Sequence, residues 1–221
     1  MPSKMKLTDL NLLKIFNSPE SGDLLKNFSI QRFPKKTLIF TPFEEQNLVF
    51  IVKSGKLRVY LSFEDKEFTL SFLETGDIFS THTRAFVQAL DGTEILVCST
   101  SAFRETLAAR PEVSLTMVKV LGDLLKNSIS TIEGLAFKDV RMRLVEFLIK
   151  TAEDRGLPAS GGTVVELGLS TEDIALLVGT TRQTISQILN EFIKTDLIEK
   201  INRRTLLIKD LEALKELNVS F

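Results

Sequence analysis

Arg182, Gln183, Ser186 and Gln187 lie on one side of a helical period whose other side carries Ile185, Ile188, Leu189 and Phe192. The apolar set at i, i+3, i+4 and i+7 must pack on a core, which leaves the polar set facing outward. Those polar types read base edges: an Arg donates a bidentate pair to guanine, and Gln183 and Gln187 can pair with adenine or accept from cytosine. Thr181 or Thr184, at the start of the same segment, can reach a phosphate. An ordinary solvated helix face would explain one or two polar residues. It explains their surroundings less well. Ser170-Thr171-Glu172-Asp173 starts a helix as a capping box, with Asp in the place usually held by Glu or Gln. Ile174, Ala175 and Leu177 face inward, and Gly179 accepts the positive φ of a tight turn. Thr180 or Thr181 then caps the next helix. Two helices joined by a short glycine turn predict a helix-turn-helix, and Leu197-Ile201 with Thr205-Ile208 around Asn202-Arg203-Arg204 predict a β-wing.

The remaining chemistry-bearing residues are sparse. His82 is the one histidine and Cys98 the one cysteine. A single cysteine makes no intramolecular disulfide, and it excludes iron–sulfur and structural zinc sites that need several thiolates. No nucleophile paired with a base, no paired acids and no Gly-x-Gly-x-x-Gly loop is legible, so an enzyme lacks its parts. A purely structural dimer module would have no use for the polar first turn of the second helix. A lone histidine, by itself, is more often structural than a ligand.

The elements that must position these residues fall into an α+β arrangement of two domains, which 221 residues can support. Hydrophobic residues are 43% and charged residues 26%, an ordinary globular composition. No apolar run approaches the roughly 20 residues that span a bilayer, and the N-terminus has no apolar signal core, so a cytoplasmic protein without membrane attachment is expected. Net charge is −1, and from Lys138 onward 12 basic residues face 13 acidic ones. DNA binding must therefore rest on the placement of charge.

Residues 1–110 are expected to form an antiparallel β-roll. Leu48-Val52, Leu57-Leu61, Phe68-Leu73 and Glu94-Cys98 read as strands, Leu57-Leu61 as a half-buried one, with turns at Ser54-Gly55 and Glu64-Lys66. Pro111 opens a helix to residue 136, in which Val118, Leu121, Leu125, Ser128, Ile132 and Leu135 recur at spacings of three and four. That narrow seam suits a coiled-coil partner and predicts a homodimer, with Gly122 allowing close approach. Residues 137–221 form the second domain, beginning with a helix over Val140-Ala152 and a loop over Arg155-Gly162.

The order of β-roll, long helix and winged helix-turn-helix resembles the cyclic-AMP receptor/FNR superfamily of bacterial transcription regulators, and Leu169 to Thr184 looks like its helix-turn-helix segment. The resemblance implies that Arg182, Gln183, Ser186 and Gln187 lie over base edges and that RNA polymerase is a partner. Leu57-Leu61, Gly76-Asp77-Ile78-Phe79-Ser80-Thr81-His82-Thr83 and Val120-Gly122 through Thr131-Glu133 resemble the CooA family of haem-containing carbon monoxide sensors. That likeness implies haem b, with His82 as one axial ligand and the N-terminal amine of Pro2, exposed once Met1 is trimmed, as the other. Carbon monoxide would displace Pro2, and Val118, Leu121, Gly122 and Leu125 would line the distal pocket. The family carries a cysteine two residues before the histidine, where this chain has Ser80, so a thiolate-ligated ferric state is not expected here. A regulator of the same superfamily driven by cyclic nucleotide or a small organic ligand is the alternative. The Gly-Glu-Leu and Arg-Ser-Ala strings of a cyclic-nucleotide pocket do not occur in this chain.

Overall fold

The computed structural model describes residues 11–16, 25–43, 47–109 and 111–219. These divide into two compact units, one ending at Lys126 and one beginning at Asn127.

Among the described residues the first unit is built on eight strands: β1 Ser29–Phe33, β2 Leu38–Phe40, β3 Leu48–Ser54, β4 Leu57–Phe63, β5 Lys66–Leu73, β6 Ile78–Ser80, β7 Phe86–Ala89 and β8 Thr93–Ser99. They pair antiparallel as two sheets, β1-β8-β3-β6 and β2-β7-β4-β5. Alternation along β3 and β8 decides what each face meets. Phe50, Val52, Ile95 and Val97 point into the core between the sheets, with Leu57, Val59 and Val87 opposite. Val49, Ile51, Leu96 and Cys98 point to the other face and are covered by α1 Leu12–Phe16 and by α3 Pro111–Phe137. A further helix, α2 Thr100–Ala109, leads directly out of β8. The turn between β3 and β4 needs Gly55, at φ +89°, because a Cβ there would sit 2.6 Å from the Gly92 carbonyl oxygen.

β4 departs from the half-buried strand its alternation predicts, since Leu57, Arg58, Val59 and Tyr60 are all buried. The Arg58 guanidinium folds over the Tyr60 ring at 4.3 Å, and donates to Thr69 Oγ1 at 2.8 Å and to Glu67 Oε2 at 2.7 Å. The outward face of the strand is thus closed by a charge whose Nε and Nη1 find partners on β5, while its buried Nη2 has none among the described residues.

Helix α3 has two apolar faces. Val113, Met117 and Val120 are buried against the roll. Leu115, Val118, Leu121, Leu125, Ile129, Ile132 and Leu135 are between 46% and 74% exposed along the opposite side. This is the seam expected from the three-four spacing, extended by Leu115 and Ile129, and it has the spacing of a coiled-coil contact. Among the described residues no helix is long and apolar enough to cross a membrane.

The second unit contains α4 Val140–Arg155, β9 Leu157–Ala159, β10 Gly162–Glu166, α5 Thr171–Val178, α6 Arg182–Lys194, β11 Ile198–Lys200, β12 Thr205–Ile208 and α7 Leu211–Val219. Its sheet runs β11-β12-β10-β9. Asp139 caps α4 by accepting from the Met142 N–H at 2.8 Å. The helix runs three residues beyond the expected Ala152, and the Gly156 N–H donates to the Ala152 carbonyl at 2.7 Å. The segment Arg155-Gly162, expected as a loop, contains β9. Pro158 is tolerated because β9 lies at the sheet edge, and Gly161 and Gly162 turn the chain at φ +88° and +146°. Leu144, Phe147, Leu148, Val165, Ala175, Val178, Ile185, Phe192 and Leu214 are buried in this unit.

Candidate nucleic-acid interface and effector site

The helix-turn-helix is made by α5 and α6. Ser170 Oγ accepts from the Asp173 N–H at 3.2 Å while the Asp173 carboxylate accepts from the Ser170 N–H at 3.0 Å, closing the capping box. Gly179 ends α5 at φ +77°, in the left-handed conformation that spares glycine a steric penalty. Thr181 caps α6 by accepting from the Thr184 N–H at 3.2 Å, so its hydroxyl is engaged in the helix start as well as exposed. Ile185, Ile188 and Phe192 of α6 are buried. Arg182, Gln183 and Gln187 are exposed and Ser186 is half-buried, so the structure brings together the polar set expected from sequence on the outward face. Arg141 of α4 holds this helix from behind, 4.8 Å from the Phe192 ring centre, with its Nη1 donating to Glu191 Oε2 at 2.5 Å.

Sequence reasoning named Arg203 and Arg204 only as part of the wing turn. The structure places them, with Lys200, Arg182, Ser170, Thr171 and Glu172, around a cleft of about 560 Å³. Among the described residues these four cations form no ion pair. The wing is set by Ile201 and Asn202 N–H groups donating to the Thr205 carbonyl and by Arg204 N–H donating to Asn202 Oδ1 at 2.8 Å. A unit with no excess of positive charge thus gathers unpaired cations beside its outward-facing helix, which is how charge attracts a phosphate backbone. The sequence signal was the Arg-Arg pair in a turn.

The second candidate site follows β6. A single 3₁₀ turn, Thr81–Thr83, carries His82, and Arg84 closes it at φ +57°. The turn is pinned to the start of β3. Thr81 Oγ1 accepts from the Leu48 N–H at 3.0 Å, Ser80 Oγ donates to the Leu48 carbonyl at 3.1 Å, and Thr83 Oγ1 donates to the Ser80 carbonyl at 3.0 Å. The His82 side chain is exposed, with Nδ1 2.5 Å from Ser80 Oγ and no other hydrogen bond among the described residues. Val118, Leu121 and Leu125 are exposed on the outer face of α3, and a Cβ at Gly122 would meet nothing within 4 Å. Pro2 lies outside the described residues.

The donor set fits haem. His82 offers one exposed imidazole ring, a donor that suits a metal bringing its other ligands with it, as a macrocycle does. Burial pushes the Cys98 thiol up to about 11, which keeps it protonated in the core, as expected from its place in a strand, and leaves no thiolate to compete.

Known proteins share this architecture. Residues 30–110 match the family cyclic nucleotide-binding domain, and residues 142–217 match the Crp-like helix-turn-helix domain. The chain is similar to a CooA variant from Carboxydothermus hydrogenoformans, with 56% identity over 97% of this chain and 98% of that one and a TM-score of 0.93. It is similar to the imidazole-bound form of CooA from that organism, described as a CO-dependent transcription factor, with 56% identity over 97% and 99% of the two chains and a TM-score of 0.56. The haem domain of the same CooA is 57% identical over 59% of this chain and 96% of that one, with a TM-score of 0.50. With both domains matched in order and more than half of the residues identical over nearly the whole length, the chain belongs to the CooA branch of the cyclic-AMP receptor/FNR superfamily, whose members are transcription regulators and not enzymes.

Proposed function

We propose that this chain is a haem-dependent, carbon monoxide-responsive transcription regulator that binds palindromic DNA as a homodimer. The observation that carries the reading is the exposed His82 imidazole, in contact at Nδ1 with Ser80 on a hydrogen-bonded turn, in a chain this similar to CooA. His82 and the Pro2 amine would hold haem b, and the bound group would supply a ferrous iron able to bind carbon monoxide. Val118, Leu121, Gly122 and Leu125 would then border the effector site. They also form part of the exposed seam, so effector binding and helix pairing compete for the same side chains. A change along that seam passes to the DNA-binding unit through Gly134 to Lys138, where α3 ends at Phe137 and α4 is capped anew by Asp139. Thr181, Arg182, Gln183, Ser186 and Gln187 from each protomer would then meet major grooves about 34 Å apart. By linkage, DNA raises the affinity for the gas as much as the gas raises that for DNA. RNA polymerase would be the partner at the promoter, and the cytoplasm the compartment.

The test is the visible absorption spectrum of the purified, reduced protein before and after carbon monoxide. A Soret band that shifts with the gas, and is lost or altered in His82→Ala, supports the reading. Absence of haem absorption after reconstitution overturns it while leaving DNA binding intact. The match of residues 30–110 to the cyclic nucleotide-binding family favours a small organic or nucleotide effector as the second reading. Screening such ligands for enhanced DNA binding would follow that outcome.

A further inference from the structure

We propose that Ser80 is a positioning residue that fixes His82 in the Nδ1–H tautomer and thereby presents an unprotonated Nε2 to the metal. The inference rests on the reading of His82 as a haem ligand for its purpose, though not for the tautomer itself.

The argument is a count of protons. Ser80 Oγ lies 3.1 Å from the Leu48 carbonyl oxygen and 2.5 Å from His82 Nδ1. A hydroxyl has one proton to give and two lone pairs. The Leu48 carbonyl can only accept, so its contact with Ser80 is a hydrogen bond only where Ser80 gives its proton there and not to Nδ1. Ser80 Oγ must then act as acceptor toward the ring, and Nδ1 must be the nitrogen that carries hydrogen. A neutral imidazole with hydrogen on Nδ1 has its lone pair on Nε2, the nitrogen without a partner among the described residues.

The geometry is held from three sides. Ser80 pairs in register with Val49 across β3 and β6. Thr81 Oγ1 takes the Leu48 N–H, so the same residue of β3 anchors both Ser80 before the turn and the turn's first residue, and Thr83 Oγ1 returns to the Ser80 carbonyl. A hydrogen bond to the far nitrogen of a metal-binding imidazole sets ring orientation and raises ligand basicity. Ser80 therefore supplies an alcohol able to orient the one histidine.

The chain has one histidine, so ¹⁵N correlation spectra of the haem-free, full-length protein report its ring without ambiguity. At a pH well above the ordinary imidazole value of about 6.5, the native protein should show a protonated Nδ1 and an unprotonated Nε2. Ser80→Ala should lose that preference and move toward the Nε2–H form favoured by free imidazole side chains, and Ser80→Thr should restore it. In the reduced, haem-loaded protein, the iron–imidazole stretching band should fall in Ser80→Ala and recover in Ser80→Thr. A native ring protonated on Nε2, or an alanine variant with the native pattern, overturns the proposal. Haem uptake alongside either result would leave the sensor reading standing. An intact Nδ1–H tautomer in a protein that takes up no haem overturns the ligand role of Nε2, and with it the sensor reading.

Discussion

Arg143 Nε donates to the Val178 carbonyl at 2.8 Å while its Nη1 donates to the Lys138 carbonyl at 2.6 Å. One buried guanidinium thus ties the connection after α3 to the last residue of α5, one position before the Gly179 turn. Burial pushes its pKa down and Asp139 partly opposes this, but an arginine remains charged at neutral pH. Arg143→Met keeps the stem and removes both donors, leaving two carbonyls unsatisfied. The expected loss is about 3 kcal/mol, read as a lower urea midpoint. An unchanged midpoint would mean that these carbonyls find other donors.

The exposed side of α3 predicts assembly. Ile129 and Ile132 are both more than half exposed, and neither is assigned to the effector pocket. Burying such a side chain contributes about 1.5–3 kcal/mol, so Ile129→Glu with Ile132→Glu should convert a dimer to a monomer in sedimentation without loss of helical circular dichroism. A double variant that stays dimeric would place the interface elsewhere.

Cys98 provides a clean chemical probe. Its thiol is buried and pushed up to about 11, so at pH 8 an aromatic disulfide reagent should react slowly with the native chain and at once, with one equivalent, after unfolding. Stability carried by the protonated thiol is present below the ordinary cysteine value and is lost as pH rises through the folded one. Fast reaction of the folded protein would contradict the burial of β8.

Glu146 carries the opposite sign. Burial pushes its carboxyl up, but the Lys138 hydrogen bond at 3.0 Å and the charges of Lys138 and Lys150 outweigh that and leave it below its usual value. Its contribution is therefore present above the ordinary carboxylate pKa and lost as pH falls through the folded value. Glu146→Gln should be less stable than the native chain at neutral pH, and the gap should close in acid. A gap independent of pH would point to packing and not charge.

The two classes of polar residue near α6 should separate in DNA binding. Arg203→Ala or Arg204→Ala should weaken binding to all sequences alike and reduce the salt slope by about one. Arg182→Ala should relax preference at one base position at a cost of about 1–3 kcal/mol. Salt slopes equal to the native one in both wing variants would remove the cleft from the interface.

Local rules made the helix-turn-helix legible. Caps at Ser170 and Thr181, the left-handed Gly179 and the inward Ile185, Ile188 and Phe192 are set within a few residues of each other, and each appears where the pattern places it. The long strands of the roll were equally plain, because their apolar runs exceed four residues. The short β1, β2, β6 and β7 were not, since three to five residues carry too little periodicity and their pairing is decided by distant partners. β9 was hidden by Pro158 and the two glycines after it, whose loop character yields to an edge position. At the effector site, His82 was visible by its singularity, but the Leu48 carbonyl that orients Ser80 lies 32 residues away in sequence. No spacing rule reaches that far.

Helix α3 keeps two faces in fixed angular relation, one sealing the roll through Val113, Met117 and Val120 and one left outward through Leu115, Val118, Leu121 and Leu125. An insertion of one residue between Val120 and Leu121 would advance everything downstream by about 100° and bring the outward stripe out of phase with the roll, although every side chain needed for pairing would still be present. An insertion of seven would restore the phase almost fully. What the helix transmits is therefore an angle, and length changes in it are tolerated by the heptad and not by the residue.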